Sequence, residues 1–92
     1  MYRMNIIGIS RLERFASRRK EDLADLSAFA AFIRASAPLP AKALAERLAH
    51  LVVAQEGASL ELAMPNANCR VRLVVSRDHQ SVHVVHVDRE GA

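Results

Sequence analysis

The sequence predicts an α+β domain of order β–α–α–β–β–β, a small antiparallel sheet with helices packed on one face. Three observations predict it. Apolar residues of the first half recur at three- and four-residue steps, the spacing of amphipathic helices. From Ala58 the period changes to two, the spacing of half-buried strands. Two clusters of turn formers, Pro65-Asn66-Ala67-Asn68 and Arg77-Asp78-His79-Gln80, then cut that second part into three strands.

Met4 to Ile9 reads as the first strand, with Gly8 marking a bulge or a close backbone approach. Ser10 is a good helix N-cap, and Glu13 completes a Ser-x-x-Glu capping box. A helix therefore starts near Arg11. Leu12, Phe15, Ala16, Leu23, Leu26, Ala30 and Ile33 mark its buried stripe. Charge gathers at Lys20 to Asp22, where Asp22 is placed to cap a second helix. One long helix and an αα-hairpin both fit, because the break holds neither Gly nor Pro. Pro38 and Pro40 end the helical region. Ala41 to His50 is a short helix with Leu44, Leu48 and Leu51 on one side; Val52 and Val53 either extend it or begin a strand. Gly57 marks a turn. Leu60, Leu62 and Met64 then alternate with Ser59, Glu61 and Ala63. The next strand is Cys69-Arg70-Val71-Arg72-Leu73-Val74-Val75, and the last runs from Val82 to about Val87.

Residues 1–92 read as one domain. A chain this short buries only about 60–65% of its unfolded surface. Its aromatics are Tyr2, Phe15, Phe29 and Phe32 alone, so Leu, Val, Ile and Ala must build the core. The lone Cys69 excludes an intramolecular disulfide and fits a reducing, cytoplasmic setting. No apolar run approaches the roughly 20 residues of a membrane span, and the N-terminus does not read as a signal peptide. The net charge of +3 leans toward an anionic partner. No Gly-rich phosphate loop or nucleophile elbow is present, and no Cys/His spacing fits a closed zinc site. No metal or cofactor is expected.

Alternation places Arg70 and Arg72 on one strand face and Val71, Leu73 and Val75 on the other. Arg holds phosphate bidentately, keeps its charge and can stabilise charge growing on a phosphorane. The plainer reading is a solvated sheet face, or pairing with Glu61 across the hairpin. His79, His83 and His86 could move protons near neutral pH. His83 and His86 are three apart, so a regular strand turns them to opposite faces and only one joins the arginines. His79 lies in the turn and is the other candidate. The candidate catalytic set is thus Arg70, Arg72, His83 and His79. Arg11, Arg14 and Arg18, at helical spacing, and Arg77 in the last turn are candidates for an RNA backbone, or a solvated surface. Asp88 and Glu90 are a substitute base or a tail cap.

Three stretches resemble one family. Ile6-Ile7-Gly8-Ile9-Ser10-Arg11-Leu12-Glu13-Arg14-Phe15 looks like an opening strand followed by an Arg-rich helix ending in an aromatic. Asp22 to Ile33, with Leu26 and Phe29, looks like a second helix. Cys69 to Val75 is similar to an Asn-Lys/Arg-Tyr-Arg-Leu-Val-Val strand. All three resemble the RelE-like toxins of type II toxin–antitoxin systems, the HigB branch in particular. The resemblance implies a RelE-like fold and a metal-free endoribonuclease that cleaves mRNA on the ribosome. It also implies silencing by a cognate antitoxin. The family's tail, which carries a catalytic His and Tyr, has no counterpart in Asp88-Arg89-Glu90-Gly91-Ala92. Ala35 to Ala58 also departs from the pattern, with an Ala/Leu-rich helix in place of a charged loop. Two expectations follow: a toxin-type mRNA interferase, or a non-catalytic protein on the same scaffold that binds a protein partner. A plain RNA-binding module fits less well, since no Phe or Tyr lies in the sheet to stack on bases.

Overall fold

The alternation that starts at Ser59 lies in the middle of a five-stranded sheet. The computed structural model describes residues 4–16, 20–64 and 69–89. In chain order its elements are β1 (Asn5–Ile7), α1 (Ile9–Ala16), α2 (Lys20–Ala35), α3 (Ala41–Arg47), β2 (Val52–Glu56), β3 (Ser59–Met64), β4 (Cys69–Val75) and β5 (Ser81–Arg89). The class is α+β, as the change of period predicts. The sheet is mixed, with strand order β1-β5-β4-β3-β2. Strands β2 to β5 pair antiparallel in sequence order, and β1 pairs parallel to β5.

The expected order therefore needs correction. Among the described residues the sheet has five strands, not four, and three helices precede β2. Helices α1 and α2 are separate elements, but Lys20 to Asp22, where the charge gathers, lie inside α2 and do not break it; residues 17–19 lie outside the described residues. Helix α1 begins at Ile9, so Ser10 lies within it rather than capping it, and Asp22 falls inside α2. After α3 the N–H groups of Leu51 and Val52 both donate to the Leu48 carbonyl, at 2.8 and 3.1 Å. That tight turn releases Val52 into β2. Two β-branched residues then favour a pleated backbone. The turn expected at Pro65 to Asn68 lies outside the described residues.

One face of the sheet is closed. Leu60, Leu62 and Met64 of β3, Cys69, Val71, Leu73 and Val75 of β4, and Val82 and Val84 of β5 are all buried. Leu12 of α1, Leu26, Phe29 and Ile33 of α2, and Ala41 and Leu44 of α3 join the same core, with Leu48 just after α3. Each such Leu, Ile or Phe contributes about 1.5–3 kcal/mol on burial. A close approach fixes how α1 leaves β1. Gly8 has φ +85°, and a Cβ there would stand 2.7 Å from the Val84 carbonyl oxygen. Only glycine meets both demands cheaply. The chain start is tied to the end of α2 as well, through Met4 N–H donating to the Ser36 carbonyl at 3.1 Å. Among the described residues, no helix is long and apolar enough to cross a membrane.

Candidate functional site

The sheet's other face is open. The helices cover the inner side, so outward side chains of β3, β4 and β5 meet solvent. Cross-strand register orders them into rows. Ser59, Val74, His83 and Ile7 form one row. Glu61, Arg72 and His86 form the next, with Ala54 beyond Glu61 on β2. Ala63, Arg70 and Asp88 form the third. Directly opposed residues stand with Cβ atoms about 4.5–5.5 Å apart.

A β-bulge changes the face on which His86 is found. Leu73 pairs with Val84, but Arg72 pairs with His86, which leaves Val85 as an extra residue on β5. An extra residue resets the alternation of everything after it. His83 and Val85 face outward, and so do His86 and Asp88, while Val87 packs against the core. The expectation that His83 and His86 oppose each other is thus overturned. Both share the arginine face. A second irregularity on β2, between Val52 and Ala54, leaves Val53 extra against the same row of Glu61 and Arg72. The two extra valines are 48% and 40% exposed, which accounts for two of the four large apolar side chains left in solvent among the described residues.

His86 Nε2 and Asp88 Oδ2 lie 2.6 Å apart. A carboxylate only accepts, so Nε2 is the donor; in a neutral imidazole the lone pair then lies on Nδ1. The pair is open to a ligand, with the two side chains 57% and 68% exposed. On the β2 side of Arg72 a shallow depression of about 310 Å³ is lined by Ala54, Glu56, Ser59, Leu60, Glu61 and Arg72. The face is not uniformly basic. Arg72 stands opposite Glu61, and Arg70 opposite Asp88. Formal charge on the rows is balanced until a histidine takes a proton.

The structure places Arg70, Arg72 and His83 on one face, in three successive rows, with His86 and Asp88 added. His79 and Arg77 are not part of that group. They sit exposed at the tip of the β4–β5 turn. Leu73, Val74 and Val75 separate that turn from Arg72, roughly 10 Å of strand. The turn is well built for its own sake. Ser76 Oγ donates to Asp78 Oδ1 at 2.6 Å and Gln80 N–H donates to it at 3.0 Å. The Ser76 hydroxyl, then the Gln80 N–H, hold the Asp78 carboxyl below its ordinary pKa. His79 takes the left-handed backbone the turn needs, at φ 61°. Arg11 and Arg14 are exposed on α1, in the helical layer behind the sheet, so they do not share the open face. Arg18 and Glu90 lie outside the described residues. Among the described residues no three His, Cys, Asp or Glu side chains gather as they would around a metal ion.

No protein-family model and no curated protein sequence matches the chain.

Proposed function

We propose that this open face cleaves RNA, and that the protein is a toxin-type mRNA interferase of RelE-like fold restrained by a cognate antitoxin in the cytoplasm. One observation carries the reading: Arg72, His83 and His86 occupy one face, with Arg72 directly opposite His86. Cleavage without a metal needs a group to take the proton of the 2′-hydroxyl, a group to protonate the leaving 5′-oxygen, and a cation for the phosphorane. Two imidazoles and a guanidinium meet that demand. Arg70, one row on, is placed to hold a neighbouring phosphate. The order strand, two helices and antiparallel strands supports the RelE-like reading, with α3 and β2 added to it. The ribosome and mRNA are the implied substrates.

Induction in a bacterial host with mapping of new mRNA 5′ ends tests this. Growth arrest with codon-linked cleavage is expected, and both are lost in an Arg70→Ala/Arg72→Ala variant. Normal growth and intact mRNA from a folded product would reject it. That outcome would favour the second reading, a non-catalytic RelE-fold protein that binds a protein partner. Its supporting observation is apolar exposure on this same face, at Ile7 and Val85, which are 48% and 40% exposed.

A further inference from the structure

We propose that His86 is the general base of this site and Asp88 its positioning residue. The inference rests on the nuclease reading above and assigns roles within it. Neither residue is brought to the arginines by strand alternation alone. The Val85 bulge does it, by setting His86 opposite Arg72 and Asp88 opposite Arg70. Bulges re-aim side chains in this way beside reactive sites.

Two further observations separate His86 from His83. His86 has a carboxylate at 2.6 Å on Nε2. His83 has no carboxylate across from it, since its neighbour on β4 is Val74 and on β1 is Ile7. The carboxylate holds the Nε2–H tautomer and turns Nδ1 into the acceptor. His83, without such a partner, is assigned the acid. In the step itself, His86 Nδ1 takes the proton of a 2′-hydroxyl. The 2′-oxygen bonds to the adjacent phosphorus while the bond from phosphorus to the 5′-oxygen breaks. The electron pair leaves on that oxygen, which takes a proton from His83. The products are a 2′,3′-cyclic phosphate and a 5′-hydroxyl, with no change in oxidation state and no co-reactant.

The test uses the full chain on translating bacterial ribosomes programmed with one mRNA, under single-turnover conditions. His86→Ala is expected to slow cleavage about 10²- to 10⁴-fold, and added imidazole to restore part of it. Asp88→Asn is expected to slow cleavage several-fold at an unchanged half-saturating concentration, with Asp88→Glu recovering part of the loss. ¹⁵N NMR of the free protein supplies a readout apart from activity: His86 is expected as the Nε2–H tautomer, and Asp88→Asn to mix the two tautomers. Cleavage by His86→Ala at the wild-type rate, with Arg72→Ala inactive, would overturn the dyad and leave the nuclease reading standing. An Nδ1–H tautomer in the wild type would overturn it as well. A wild-type chain that cleaves nothing would overturn both.

Discussion

The two faces of the sheet are built by the same strands under different rules. On the closed face every inward position of β3 and β4 is buried, from Leu60 to Met64 and from Cys69 to Val75. Three helices rest on it, and each position is fixed by its neighbours on both sides. On the open face the rows are mixed: Arg72 between Glu61 and His86, Arg70 between Ala63 and Asp88. Water can satisfy whatever those side chains leave unpaired. The bulges at Val53 and Val85 turn their extra residues to this side, where an extra side chain displaces only solvent. A close-packed core has no such slack. Stability is therefore concentrated on one face, and the other is free to carry chemistry.

The largest effect that would break this division is a core truncation. Leu62→Ala removes a side chain with no exposure from the centre of the closed face and is expected to cost about 2–5 kcal/mol in a urea titration. Arg72→Ala, one strand away on the open face, is expected to stay within about 0.5 kcal/mol. Equal losses for the two would show that the faces share the load.

Deleting Val85 sharpens the comparison by removing the bulge. The shortened strand would run with regular alternation, and His86, Val87 and Asp88 would keep their faces. Stability is expected to change by about 1 kcal/mol or less. An NOE between His86 and Arg72 is expected in the native chain and should survive the deletion. If β5 were regular in the native protein, His86 would point into the core and Val87 out of it, and the deletion would reverse them. The NOE would then be missing from the native chain and appear only in the shortened one, which is the outcome that would refute the bulge.

The smallest expected effect lies at the turn that joins β4 to β5. Asp78 has a lowered carboxyl pKa in the fold, caused first by the Ser76 hydroxyl and then by the Gln80 N–H. The unfolded chain therefore binds a proton more readily, and the carboxylate contributes stability above the ordinary Asp range of about 3.9. That contribution is lost as pH falls through the lower folded value. Protection of the Gln80 and Ser81 amides, measured as exchange relative to the intrinsic rate at each pH, is expected to fall on acidification below that range. An Asp78→Asn variant should show no such step.

Much of the fold was legible. The step from a helical period to a period of two located β3, β4 and β5 and named the inward residues of β3 and β4. Gly8 was readable as a bulge or a close approach, because a glycine inside an apolar strand pattern gives up packing for room, and the Val84 carbonyl is what takes that room. The shared face of Arg70 and Arg72 followed from alternation within one regular strand. His86 was not legible as a partner for them. Counting residues along β5 puts it on the wrong side, and nothing in Val84-Val85-His86 signals an extra residue. Val52 and Val53 were equally silent, since two valines suit the end of a helix or the start of a strand.

The sequence by itself determined what each regular segment buries, because periodicity is local and a side chain's direction follows from its own backbone. It determined the α+β class and the inner face of the sheet for the same reason. Tertiary structure alone decided the pairings between strands: β1 parallel to β5, β2 as an edge strand, and the one-residue offset of β5 against β4. Those depend on which hydrogen bonds and contacts are best across residues far apart in the chain. The offset is what sets His86 and Asp88 beside Arg72 and Arg70, so the proposed site is a product of register between strands.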